Sequence, residues 1–327
     1  MAMASIICHM GSVLALATTV VALRPVATVT GPPVYVYNWR TDHCPGLRGE
    51  LESGGRCPND VQLGCDPDVP DAPLKAFRNA SGTVVLLAPV DLGARSLVGP
   101  SLAAVRHDCH VYMNSTLDYD MADSACREWN QSPYAFPNGS IFALTHMEYH
   151  NHSNQMGLWS SVTLLTSTDG GRRWAHALAP PHHIVAAAPY RYAPSGPDSV
   201  LFGFRSPSNI IRSRADDGYF YAFVTAGWGR LTANPIGQQP GACLMRSRDI
   251  TSPSSWRAWD GSDFNVSLAV NPYLPRPPRS LARVRLCLSI CLCVGDSVLH
   301  VYLLATGAGT SRTIWIRRNT FAGRSRP

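Results

Sequence analysis

The sequence predicts an all-β chain, on three observations: short apolar runs with alternating character, a tight-turn signal ahead of most of them, and almost no stretch with helical apolar spacing. Taken in order, the runs are VYVY at 34–37, TVVLL at 83–87 after Asn79-Ala80-Ser81-Gly82, IFALT at 141–145 after Pro137-Asn138-Gly139, VTLLT at 162–166, and YFYAFVT at 219–225 after Asp216-Asp217-Gly218. Each reads as a strand entered from a turn, because Gly and Asn tolerate the backbone angles that reverse a chain at little cost. The Asp216-Asp217 pair is read as part of such a turn. Many short strands at this spacing mean a sandwich, a barrel or a propeller.

A repeat decides among these. Three segments share one grammar, a Pro-flanked strand start, a polar turn containing Gly, then an apolar strand: PDAPLKAFRNASGTVVLLAP (70–89), REWNQSPYAFPNGSIFALTHMEY (127–149) and SNIIRSRADDGYFYAFVTAGW (208–228). Their spacing of about 60 to 80 residues suits one four-stranded propeller blade per repeat, with long loops. A weaker fourth unit is expected from Gly241, in GACLMRSRDITSPSSWRAW.

The stretch STDGGRRW (167–174) follows an apolar run and has the spacing Ser-x-Asp-x-Gly-x-x-Trp. It resembles the Asp-box of sialidase-like propellers, a hairpin turn between the third and fourth strands of a blade, and SRDITSPSSW (247–256) resembles the looser version found in five-bladed arabinanase and fructosidase propellers. The resemblance covers about residues 66–260. It implies a five-bladed glycosidase-type propeller in which Asp169 is scaffold on the rim. Phe77-Arg78-Asn79 stand where a sialidase carries Arg-Ile-Pro, so sialidase activity is not expected. Pro70-Asp71-Ala72-Pro73 matches the fructosidase Asn-Asp-Pro-Asn motif only in part.

Composition limits the partners. The formal charge of +6 is concentrated in residues 276–327, which hold nine Arg against Asp296, leaving the rest near −2. No basic face is available to a polyanion, and nucleic-acid binding is excluded. Residues 1–22 read as an export signal cleaved after Ala22, since 5–23 are apolar and Val20 and Ala22 are small; uncleaved, the segment would anchor the chain in a membrane. A secreted, extracellular protein follows, with glycosylation expected at Asn79, Asn114, Asn138, Asn151 and Asn265; the sequon at Asn130 is weakened by Pro133. Ten Cys fit that compartment, with Cys44, Cys57 and Cys65 in a Cys-rich extension over 23–65 and Cys109 and Cys126 as candidate disulfide partners.

Glycoside hydrolysis needs two carboxyl groups across the scissile bond, one protonated and one ionised. In five-bladed glycosidases the base is an Asp at the start of the first blade's inner strand, and by that resemblance Asp71 is the candidate base, with Asp68 competing. Glu128 opens the second repeat in the same register, and Glu148 follows a strong strand among His146, Tyr149, His150 and His152. Glu148 is assigned as acid and Glu128 as orienting acid, though these roles could be exchanged. Substrate contacts are expected from Arg127, from His107 and Asp108 in RHDCH, from His146, and from Tyr190 and Arg205. The alternation of His146, Glu148 and His150 places them on one strand face, a pattern that also suits a metal. The reading adopted calls for no cofactor and no metal.

Residues 66–274 are therefore expected to hold the blades and 275–327 an Arg-rich segment that leaves the last blade incomplete, with 295–306 and TIWIRR able to restore a closing strand pair. The predicted function is a secreted glycoside hydrolase-like protein acting on a carbohydrate; the alternative is a propeller that binds carbohydrate or protein without catalysis.

Overall fold

The computed structural model describes residues 35–36, 70–90, 92–151, 154–189, 191, 202–214, 217–227 and 241–274, together with the strands in 289–317, whose backbone alone is considered. The expected signal segment, nearly all of the Cys-rich extension, Asp68, Tyr190 and Asp216 lie outside the described residues.

The chain is all-β, with only two short 3-10 turns, at Leu102–Ala104 and Pro253–Ser255, among the described residues. The first sheet runs in chain order: β1 (Lys75–Arg78), β2 (Val84–Ala88), β3 (Ala94–Gly99) and β4 (Arg106–Met113), all antiparallel. The next unit is β5 (Arg127–Ala135), β6 (Ile141–Asn151), β7 (Asn154–Ser167) and β8 (Ala175–His176), with β9 (Ile184–Ala186) also on β7. In the third unit the first strand is broken into β10 (Phe202–Arg205) and β11 (Ile211–Arg212). Both pair with β12 (Phe220–Gly227), which is followed by β13 (Gly241–Ser247) and β14 (Arg257–Ala258). β15 (Ser289–Gly295), β16 (Val298–Leu304) and β17 (Arg312–Arg317) form, among the described residues, a separate three-stranded sheet.

Each of the three repeats supplies the first hairpin of a four-stranded, blade-like unit. The fourth unit expected from Gly241 is instead the outer half of the third: β13 pairs with β12 along its whole length. The reason is continuity of burial, since GACLMRS continues the apolar face of FYAFVTAG rather than starting a new one.

Central strands are buried on both faces. β2 is buried at all five positions, and its VVLLA run is the signature of a strand covered on both sides. One face of the second unit packs against the first sheet through Ile141, Ala143, Leu165 and Trp174 with Val85, Leu87 and Tyr112. Its other face packs against the third through Leu144, Val162 and Leu164 with Phe204, Val224, Met245 and Trp256. Blades stacked face to face bury both sides of each sheet in this way.

STDGGRRW forms the β7–β8 turn. Ser167 Oγ donates to Asp169 Oδ1 at 2.9 Å, Arg173 N donates to the same oxygen at 2.9 Å, and Trp174 Nε1 donates to Gly171 O at 3.0 Å. Those donors, with the nearby Arg173 charge, outweigh burial and hold the Asp169 carboxyl below the ordinary range. The Trp174 ring meets Phe77 edge-on at 6.3 Å, so the turn ties the second unit to the first sheet. A Cβ at Gly171 would stand 2.5 Å from Phe77 Cζ. The second motif turns β13 into β14, with Asp249 accepting from Thr251 N at 2.9 Å and Trp256 buried.

One junction departs from the antiparallel pattern. β10 runs parallel to β7, pairing Phe202 with Trp159 and Gly203 with Ser160, and so joins the second and third units into one sheet. Gly203 makes this possible: its φ is +108°, and a Cβ there would lie 2.1 Å from Ser160 O. Gly203→Ala is therefore expected to cost about 3 kcal/mol or more, from backbone strain plus the clash. Gly218→Ala, in open space at φ +72°, should cost only about 1 kcal/mol. Urea-unfolding midpoints of the two variants check this contrast.

Candidate functional site

Strand alternation divides the candidate acids. In β5 and β6, Arg127 lies opposite Glu148 and Trp129 opposite His146, so these four share one face of the hairpin. Glu128, between Arg127 and Trp129, lies on the other face, opposite Met147.

The first face carries a connected polar set. Asp71, exposed just before β1, accepts a hydrogen bond from Trp129 Nε1 at 3.0 Å, and its own N–H donates to Pro89 O at 3.0 Å. The Trp129 and His146 rings lie 5.5 Å apart, and His146 Nε2 is 3.2 Å from Glu148 Oε1. The fold thus links Asp71 and Glu148, 77 positions apart in the chain, through one indole and one imidazole. Trp129 was not foreseen; its only sequence signal is its place in the second repeat, at the strand start.

Glu128 does not join them. Its side chain is closed off from solvent, Oε1 accepts from Thr163 Oγ1 at 3.2 Å, and Oε2 lies 2.8 Å from His176 Nε2. Alternation forces this: a neighbour of Arg127 and Trp129 in an extended strand must face the opposite way. Glu128, expected as the orienting acid, is thus buried on the face away from Asp71 and Glu148. The His176 and His183 rings stack at 4.4 Å, and His183 Nε2 is 3.2 Å from Ser124 O. One donor atom from each of Glu128, His176 and His183 lies within 4.8 Å of the others, a grouping able to hold a metal. Burial, then the neighbouring His176 and His182, depresses the His183 pKa to about 3.

The remaining expected contacts lie elsewhere or outside view. His107 and Asp108 sit on β4, the outermost strand of the first sheet, across β2 and β3 from β1. Asp108 Oδ1 accepts from His110 N at 3.0 Å, a local turn-like bond. They are not brought to Asp71. Arg205 ends β10, opposite Thr225. Of the metal alternative His146/Glu148/His150, the first two meet, and the His150 side chain lies outside the described residues. A shallow depression of about 400 Å³ lined by Ser81, Gly82, Thr83, Val98, Gly99 and Pro100 contains no carboxylate.

Among the sequons, Asn114, Asn138 and Asn265 are exposed and Asn79 is half-buried, while Asn130 is fully buried; the Asn151 side chain lies outside the described residues. Cys126 is a buried thiol, so the suggested Cys109–Cys126 disulfide is not made. Among the described residues no helix is long and apolar enough to cross a membrane.

No protein-family model matches the chain, and no curated protein matches it in sequence. Several solved structures align with it. An α-L-arabinofuranosidase from Clostridium thermocellum aligns at TM-score 0.33 and 10% identity, over 70% of this chain and 59% of that one. An endo-arabinase from Bacteroides thetaiotaomicron aligns at 0.34 and 12%, over 77% and 76%. The β-fructofuranosidase catalytic domain of Microbacterium saccharophilum aligns at 0.37 and 12%, over 73% and 60%. The chain spans about three fifths of the first and third of these. Likenesses this distant assign no activity and no residue role.

His183 sets a pH dependence. Its folded-state pKa is depressed from 6.5 to about 3, so the unfolded chain takes up the proton first as pH falls. The contribution of neutral His183 is complete above pH 6.5 and declines between 6.5 and 3, by up to about 1.4 kcal/mol per pH unit. Urea unfolding at pH 7, 5.5 and 4 in chelator-containing buffer should show this slope, and His183→Gln should flatten it.

Proposed function

We propose that the protein is a secreted glycoside hydrolase-like protein that cleaves glycosidic bonds with Asp71 and Glu148. The observation that supports this reading is the connected face on which an exposed aspartate is held by the indole of Trp129 and Glu148 stands beside His146. In this mechanism Glu148 gives its proton to the glycosidic oxygen as the C–O bond breaks. Asp71, ionised, either attacks the sugar carbon or removes a proton from the attacking water; in both cases water supplies the new hydroxyl and the proton that restores Glu148. Trp129 fixes the Asp71 carboxylate, and His146 positions that of Glu148. Arg127, opposite Glu148 on the same face, supplies a cation for substrate hydroxyls or for the carboxylate itself.

A second reading is a propeller that binds carbohydrate or protein without hydrolysis. It is favoured by one observation, the withdrawal of Glu128 into the blade. Export and N-glycosylation belong to both readings, and the exposed turns at Asn138 and Asn265 suit attached glycans. Enzymatic deglycosylation of protein made in a secretory host should therefore increase its gel mobility, and Asn138→Gln with Asn265→Gln should reduce that shift.

Release of reducing sugar from a broad glycan panel tests the catalytic reading. Glu148→Gln and Asp71→Asn should each lower release by roughly 10²-fold or more while leaving the circular dichroism spectrum and glycan binding in place. Binding without release by the unmodified folded protein would favour the non-catalytic reading.

A further inference from the structure

The buried cluster on the opposite face of the second unit is unused by the proposed hydrolysis, and its chemistry points elsewhere. We infer that Glu128, His176 and His183 form a structural site for a divalent transition ion, with zinc the best match. The donor set is two imidazoles and one carboxylate, a combination suited to zinc and poorly suited to calcium or magnesium, which take all-oxygen shells.

Three observations carry the assignment. First, the donors converge: one atom from each residue lies within 4.8 Å of the others, and the Glu128 and His176 donors are already 2.8 Å apart. Ligands spanning a tetrahedral ion at about 2.0–2.2 Å stand roughly 3.4 Å from one another, so small side-chain shifts suffice. Second, His183 is wholly buried and has an atom with nothing to bond. With its Nε2–H donated to Ser124 O at 3.2 Å, Nδ1 carries the lone pair, and Nδ1 is buried with no hydrogen-bond partner. A buried acceptor left without a partner costs free energy, and a cation would satisfy it. Third, the supporting shell is in place. Ser124 O orients one imidazole, and Thr163 Oγ1 donates to the Glu128 oxygen that does not face His176. Backbone carbonyls behind ligating histidines and hydroxyls behind ligating carboxylates are the usual outer partners of a bound metal.

The site's place in the fold indicates its purpose. Glu128 comes from β5, at one side of the second unit; His176 comes from β8, and His183 directly precedes β9. Both β8 and β9 are short strands on β7, and the His183 carbonyl accepts from Leu164 N at 2.9 Å. An ion bound here staples the first strand of the unit to its outermost segments across the face of β6 and β7. The inference stands independently of the hydrolytic reading, because neither Asp71 nor Glu148 belongs to this face.

The test uses the full chain stripped with a chelator, dialysed and titrated with ZnCl₂ against a chromophoric competitor, with thermal unfolding followed in parallel. One zinc per chain is expected, together with a rise in unfolding temperature, and Co²⁺ in place of zinc should give the ligand-field spectrum of a four-coordinate N/O site in which water completes the three protein ligands. His176→Gln should abolish stoichiometric uptake. Thr163→Val keeps all three ligands and should weaken affinity roughly tenfold or more, so it decides the matter even where the ligand variant fails to fold. Absence of zinc uptake by folded protein, or uptake unchanged in both His176→Gln and Thr163→Val, would overturn the assignment.

Discussion

The structure hangs on β7. This strand is buried on both faces from Trp159 to Leu165, so its backbone groups have no access to water and must all pair within the protein. It meets that demand by pairing with β6 along one edge and, along the other, with β8, β9 and the parallel β10 in turn. Sharing one edge among three partners is what fuses the second and third units into a single sheet. It also explains why a glycine is required at Gly203, where the incoming strand passes too close to Ser160 for any side chain.

The same strand sets the polarity of the unit's two faces. Ser160, Ser161 and Thr163 are buried polar residues in the stretch from Trp159 to Leu165, and buried hydroxyls call for partners, which those of Ser160 and Ser161 lack. Thr163 meets this need through Glu128, and Glu128 in turn through His176. A carboxylate that a sequence reading would send to a pocket is thereby committed to the interior. The other face holds Arg127, Trp129, His146 and Glu148, buried or half-buried, and the exposed Asp71, which precedes β1, joins it through Trp129.

The two faces of one hairpin therefore present different side-chain chemistry. One has an accessible carboxylate fixed by an indole, the arrangement an acid–base reaction requires. The other is dry and rich in nitrogen and oxygen donors, the arrangement an ion requires. Neighbouring residues Arg127, Glu128 and Trp129 contribute to both because an extended chain sends successive side chains to opposite sides.

Local chemistry made part of this protein legible in its sequence. Alternating apolar runs and Asn/Gly turns specify strands and hairpins within a few residues, so the all-β class, the first hairpin of each unit, the turn at residues 167–174 and the strand pair within 295–317 could be read from local pattern, whereas β15 could not. Asp71 was a candidate through the resemblance to five-bladed glycosidases and Glu148 through its place after the apolar run 141–145, and the structure sets Glu148 within β6. What the tertiary structure alone decided is who meets whom. The parallel β7–β10 junction, the assignment of residues 241–258 to the third unit, and the inward turn of Glu128 depend on pairings between distant segments, which leave no local pattern. His176 and His183 were invisible for the same reason: neither stretch carries a ligand-type spacing to Glu128, which lies 48 residues or more away in the chain. They become a site only when burial forces their polar atoms to find one another.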